Sequence, residues 1–264
     1  MLAGLPSAIA PSATAARGST LVVSAYEYSF QSADSVAAGV VTVRLVNHGK
    51  IGHQVALARL DDSSSLVRVM RSLVDNKAHT GGIRWSGGVE SAIPGDSSET
   101  ILALEPGRYV IVCAYDGDNG QAHMSLGMIR PLVVTAGVAK AAMALPATAT
   151  TIRLSDYDVA VAGTLHSGRQ LVRVENAGAH RHHLNLTRIR DGATLDEIMK
   201  WDGKSQPAPL EDMSGGVAVL EPGQASVISL NLVPGRYELA CVMSNDSKSK
   251  PHYMLGMHDE IAVQ

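Results

Sequence analysis

Two segments of the chain are versions of one another. Residues 106–128 read PGRYVIVCAYDGDNGQAHMSLGM, and residues 234–257 read PGRYELACVMSNDSKSKPHYMLGM. Each holds one of only two cysteines in the 264-residue chain, followed by a histidine and then by a methionine. The likeness extends far upstream. Gly39 matches Gly168, Asn47 matches Asn176, His53 matches His182, Leu66 and Met70 match Leu195 and Met199, and Gly87-Gly88-Val89 matches Gly215-Gly216-Val217, always at an offset of 128 or 129 residues. A repeat of this length means one architecture used twice. It divides the chain into a tail at 1–18, a first domain at 19–136, an Ala-rich linker at 137–150 and a second domain at 151–264.

Each unit is long enough to bury its own core. Short runs of β-branched and apolar residues alternate with Gly and Pro turns, as in VVTVRLV at 40–46 and HQVALARL at 53–60. Leu66, Val69, Met70 and Leu73 fall at helical spacing behind a run of serines, which predicts one short helix per unit. The Gly-rich, polar stretch after it, through Ser86-Gly87-Gly88, carries no strand signal. The fold class expected is all-β: two tandem Greek-key sandwiches, each with a short inserted helix lying across one edge. Tyr109 and Tyr237, each just after Pro-Gly, are expected to pin a crossover by a tyrosine corner.

Composition excludes several classes. A net charge of -3 gives no electrostatic footprint for nucleic acid. No apolar run reaches spanning length, so no membrane span is expected. The first residues are small, apolar and poor in acid, with Ala13-Thr14-Ala15 as a cleavage-like triplet, so a periplasmic or secreted location is expected. Two cysteines deep in separate domains do not pair, and each is a free thiol or a thiolate ligand.

The chemistry lies in the duplicated segment. Tyr109, Ile111 and Cys113 share one strand face by the two-residue period, as do Tyr237, Leu239 and Cys241. The loop then returns His123 and Met128, or His252 and Met257. A fourth group must come from elsewhere in the sheet, and His53 and its match His182 stand at strand starts. Two imidazoles, a thiolate and a thioether form the ligand set of a type 1 copper site, serving both Cu+ and Cu2+. A structural zinc site uses more Cys or His and rarely Met. His180, His182 and His183 cluster in the second unit. The repeat selects His182 as the ligand, strand alternation turns His183 the other way, and the three together offer a subsidiary surface metal site. Asp116, Asp118 and Asn119 lack calcium-loop spacing and are read as solvated loop residues.

The Cys-x9-His-x4-Met run at Cys113, His123 and Met128, and the Cys-x10-His-x4-Met run at Cys241, His252 and Met257, resemble the C-terminal ligand loop of the cupredoxins, the type 1 blue copper family. The loop is longer than in plastocyanin or azurin and resembles more closely the type 1 loop of copper nitrite reductase, down to the Gly-Met endings at Gly127-Met128 and Gly256-Met257. HQVAL and HHLNL resemble the first-His strand. The resemblance implies copper ligation by His53, Cys113, His123 and Met128 in one domain and by His182, Cys241, His252 and Met257 in the other. Multicopper oxidases and copper nitrite reductases place a His directly before the ligand cysteine to bind a second copper centre. Val112 and Ala240 stand there instead, which implies an electron carrier with a redox partner protein rather than an enzyme. Two other readings compete: a metal-free two-domain scaffold or adhesion module, and a copper storage or delivery protein with the same ligands.

Overall fold

The structure is a computed structural model that describes residues 18–75, 81–117, 120–137, 143–246 and 248–264. Nearly all of the tail, residues 138–142 of the linker, and Asp118 and Asn119 lie outside the described residues. The first half forms β1 (Ser19–Tyr26), β2 (Ser29–Ser32), β3 (Ser35–Ala37), β4 (Gly39–Asn47), β5 (His53–Leu60), helix α1 (Leu66–Val74), β6 (Ile83–Ala92), β7 (Ser97–Leu104), β8 (Gly107–Val112), the single turn α2 (His123–Leu126) and β9 (Ile129–Thr135). The second half forms β10 (Thr150–Ser155), β11 (Asp158–Ala162), β12 (Gly168–Asn176), β13 (His182–Ile189), α3 (Leu195–Lys200), β14 (Leu210–Leu220), β15 (Ala225–Leu232), β16 (Gly235–Ala240), a 3-10 turn (His252–Leu255) and β17 (His258–Val263). The architecture is all-β, as expected. No helix among the described residues is long and apolar enough to cross a membrane.

Each half contributes strands to two facing sheets, and alternate side chains fill the space between them. In the first half Val23, Val43, Leu45, Val55, Leu57, Leu102, Ile111 and Leu132 form that core. In the second, Ile152, Leu154, Val172, Val174, Leu184, Leu186, Leu230 and Leu239 do the same. Both tyrosine corners form: Tyr109 Oη donates to Glu105 O at 2.9 Å, and Tyr237 Oη donates to Val233 O at 2.8 Å.

The sheets do not stop at the domain boundary. One runs β11-β10-β12-β15-β7-β4-β1-β2 and the other β17-β16-β13-β14-β6-β5-β8-β9-β3, so each is continuous through both halves. The seams pair β15 with β7 and β14 with β6. Residues matched by the repeat face each other there, Val89 opposite Val217 and Thr100 opposite Ile228. An antiparallel ladder that pairs repeat-equivalent residues has a local two-fold axis at that point, so the halves are related by a pseudo-dyad through the seam.

Two expectations are corrected. The stretch around Gly87-Gly88 is a full strand, β6, and its match β14 is another. Their glycines mask the strand signal because they serve close backbone approach: a Cβ on Gly88 would lie 1.9 Å from Val55 O, and one on Gly216 2.0 Å from Leu184 O. Helix α1 also does not lie across an edge. Val69 and Leu73 pack on Ala56, Ala58, Leu60, Val110 and Val112, the outward side chains of β5 and β8. The helix therefore covers the outer face of the nine-stranded sheet, which explains why nearly all of β5 is buried.

Candidate metal centres

In the first half, His53 opens β5, Cys113 follows the last residue of β8, and His123 begins α2, with Met128 between α2 and β9. The loop is held by its own backbone. His123 N–H donates to Tyr115 O at 2.7 Å, Met124 N–H to Cys113 O at 3.0 Å, Met128 N–H to His123 O at 3.0 Å, and Cys113 N–H to Met128 O at 3.1 Å. These bonds turn the chain back onto the cysteine and seat the methionine beside it. His53, Cys113, His123 and Met128 are all buried. One ligand atom each from His53, Cys113 and His123 lies within 4.8 Å of the others. Cys113 Sγ is 3.4 Å from His123 Nδ1, and the His53 and His123 rings are edge-on at 5.3 Å. Neither ring nitrogen of buried His53 has a hydrogen-bond partner. An orphaned buried imidazole is costly unless something else fills its lone pair.

The second half repeats the arrangement with tighter imidazoles. His182, Cys241 and His252 again converge within 4.8 Å, with Met257 fully buried beside them. Cys241 Sγ lies 3.5 Å from His252 Nδ1 and 4.0 Å from His182 Nδ1, and the two Nδ1 atoms are 3.1 Å apart. Each outer nitrogen meets an oxygen: His182 Nε2 faces Asp156 Oδ1 at 3.0 Å, and His252 Nε2 faces Asn245 Oδ1 at 3.0 Å. With Nε2 carrying the proton in both rings, two Nδ1 lone pairs and a sulfur point at one spot. Such a spot is satisfied by a cation, either a shared proton or a metal ion.

The electrostatics of the two centres differ. Burial pushes the Cys113 thiol up to about 12, only partly opposed by the Gln54 N–H, which donates to Sγ at 3.3 Å. Burial also opposes ionisation of Cys241, but hydrogen bonding from His182 and His183 and the charge of His183 bring it down to about 5. Burial and the neighbouring His123 lower His53. Burial works to lower His182 as well, but the bonds to Cys241 and Asp156 outweigh it and raise it. Ionisation of the thiol is thus opposed in the first centre and favoured in the second, and the paired histidine shifts down in the first and up in the second.

The structure brings together six of the eight sequence-predicted residues as nitrogen and sulfur donors, and it buries both methionines in the same clusters as the cysteines. The histidine cluster separates. His183 turns away from His182, as alternation requires, with Nδ1 3.4 Å from Glu90 Oε1, while His180 pairs with Asp156 at 3.2 Å. Sequence reasoning missed the residues behind the ligands: Asp156, Asn245, Gln54, Glu90, and the pair Tyr28 and Tyr157. Each tyrosine meets the loop histidine of its half edge-on, at 5.3 and 5.4 Å. A signal for the tyrosines existed, because Glu27-Tyr28 and Asp156-Tyr157 stand at the repeat offset.

No family model matches the chain, and no curated relative does. Among solved structures it is similar to the auracyanin of Roseiflexus castenholzii, at 16% identity over 45% of this chain and 99% of that one, with a TM-score of 0.30. It is also similar to auracyanin A of Chloroflexus aurantiacus, a "blue" copper protein, at 20% identity over 44% and 98%, with a TM-score of 0.31. A Cu-containing nitrite reductase from Thermus scotoductus matches at 15% identity over 93% of this chain and 61% of that one, with a TM-score of 0.26. Likenesses at these scores decide nothing about activity, and the ligand set rests on the chain's own residues. On its own strands and its duplicated Cys-His-Met segment, the chain is a tandem all-β protein.

Proposed function

We propose that each half holds one copper ion and that the protein is a one-electron carrier. His53, Cys113 and His123, with the Met128 thioether, hold the ion in the first half. His182, Cys241 and His252, with Met257, hold it in the second. The observation that carries this reading is the second centre, where two Nδ1 atoms 3.1 Å apart and a cysteine sulfur converge with both outer nitrogens already hydrogen-bonded. A soft thiolate with two imidazoles and a thioether selects copper over magnesium or calcium, and the single Cys argues against structural zinc. Copper held there supplies exchange of one electron between two oxidation states. The chain's contribution is rigidity. The ligands sit in a buried, backbone-pinned loop that leaves little room to rearrange, and this favours fast exchange with a partner protein. Val112 and Ala240 supply no ligand for a catalytic centre beside either cysteine, so the proposal is a carrier, exported to the periplasm or beyond, and not an enzyme.

Loading with Cu(II) tests this directly. The protein should take up two coppers per chain and show an intense visible charge-transfer band. Cys113→Ser or Cys241→Ser should each remove one copper and part of the band, and the double variant should be colourless. Occupancy should stay constant through cycles of reduction and oxidation. Loss of metal on reduction would favour storage or delivery, and a wild-type protein that binds no copper would remove the reading.

A further inference from the structure

The two centres are joined through the seam by a run of hydrogen bonds and one ion-pair contact. Gln54 follows His53, and its backbone N–H donates to Cys113 Sγ at 3.3 Å. Its side chain accepts from Ala114 N–H at 3.3 Å and donates from Nε2 to Glu90 Oε2 at 2.9 Å. The other oxygen of Glu90 lies 3.4 Å from His183 Nδ1. His183 follows His182, and its Nε2 accepts from Val242 N–H at 2.9 Å, the residue after Cys241. Gln54, Glu90 and His183 are all buried. The chain of bonds therefore begins and ends one residue from a histidine and a cysteine of each centre.

Gln54 and His183 occupy matched positions in the two halves, so the pseudo-dyad brings them toward each other across β6 and β14. Glu90 spans the gap between them. Its own match is Ala218, and Glu90 packs over the bare Cα of Gly216, where a Cβ would meet its side chain at 3.0 Å. One carboxylate thus serves both halves. Tyr115 Oη fixes its backbone by donating to Glu90 O at 2.7 Å.

We infer that Gln54, Glu90 and His183 form a conducting bridge that carries an electron between the two centres within one molecule. The inference rests on the copper reading proposed for the two centres. One electron leaves Cu(I) in one half, which becomes Cu(II), and reduces Cu(II) to Cu(I) in the other; no bond is broken and no proton is transferred. Covalent bonds and hydrogen bonds transmit electronic coupling better than open van der Waals gaps, and the one step of this path that is neither is the 3.4 Å ion pair between Glu90 and His183. A tandem carrier built this way accepts an electron at one end and delivers it from the other.

The test uses full-length, copper-loaded protein reduced by less than one electron per molecule in a laser flash, with the two bands followed in time. Rates are compared at equal driving force, from the two potentials measured for each variant. Glu90→Met removes the link while keeping its volume. Gln54→Met breaks the other end and leaves the Glu90–His183 contact in place, so it separates conduction from holding the seam together, and it stands in if Glu90→Met does not fold. The wild type should show transfer independent of protein concentration, and both variants should slow it by an order of magnitude or more with two coppers still bound. Equal rates in wild type and Gln54→Met, or a rate that scales with concentration, would overturn the bridge. Failure of the copper reading would instead show as fewer than two coppers per wild-type chain, before any rate is taken. A metal-free readout is independent of both: the Gln54 side-chain amide protons should exchange slowly with solvent and lose that protection in Glu90→Met. Free exchange in the wild type would mean that the bridge is not formed.

Discussion

Asp156 shows how one side chain tunes a centre without touching the ion. Its carboxylate accepts from the protonated His182 Nε2 and also from the Ala179 and His180 N–H groups, which anchor it to the turn before β13. A carboxylate behind a ligand histidine fixes the tautomer and makes the ring a stronger donor. The matching residue, Glu27, is one methylene longer, and its carboxylate accepts from the Lys50 N–H rather than from His53. The two centres should therefore differ in potential. Asp156→Ala in a Cys113→Ser background should weaken copper binding at the second centre by about 10–100-fold in a chelator competition and raise its reduction potential. Glu27→Ala in the Cys241→Ser background should have the smaller effect. A second residue-scale prediction concerns Glu238, whose burial raises its carboxyl to about 7. The unfolded chain ionises Glu238 at lower pH than the folded one, so stability falls as pH rises from the ordinary carboxylate range through about 7 and is flat above. Glu238→Gln should therefore be more stable than wild type at pH 8, by roughly 1–3 kcal/mol, and nearly equal at pH 4, as read from urea midpoints. The ligands themselves were legible in the sequence because their identities and order are chemically specific and occur twice. Asp156 and Glu90 were not, because a carboxylate becomes meaningful only once the fold shows what it faces.

At the scale of elements, periodicity found what alternates and missed what does not. The strands β4 and β5 stood out by their short runs of β-branched and apolar residues between turns. β5 is buried on both faces, one against the core and one beneath α1, yet Gln54 and Arg59 kept enough polarity to bound it. Helix α1 was found by its spacing, but its position was not, because a one-sided apolar stripe identifies a buried face without naming the surface that buries it. The missed strands β6 and β14 share a cause. Their glycines sit where a neighbouring carbonyl passes too close for any Cβ, so the sequence shows a turn-like composition at the centre of a sheet. These two strands make one of the two seams, and with them went a main fact about how the halves meet.

At the scale of the whole molecule, the pseudo-dyad says that the chain is built like a dimer whose subunits have been joined. Each half alone would expose β6 and β7, or β14 and β15, as bare edges, and unpaired edges seek partners. The halves are not equal in this respect. Two copies of the second half can place Val217 against Val217 and Ile228 against Ile228, with Ala218 causing no conflict near the axis. Two copies of the first half would bring a pair of buried Glu90 carboxylates to the same place, and two such charges out of water repel strongly. Some seam contacts also exist only between unlike halves: Trp85 N–H donates to Glu221 Oε1 at 3.1 Å, and Gln224 Nε2 donates to Trp85 O at 2.9 Å. Residues 143–264 expressed alone should therefore form a two-fold dimer in sedimentation equilibrium at micromolar concentration. Residues 18–137 should remain monomeric at neutral pH, gaining self-association with Glu90→Ala. Mixing the two should displace the homodimer in favour of the one-to-one pair, because only that pair satisfies Glu90 with Gln54 on one side and His183 on the other. A second half that stays monomeric while folded would show that the unlike contacts, and not the paired repeat edges, hold the seam closed.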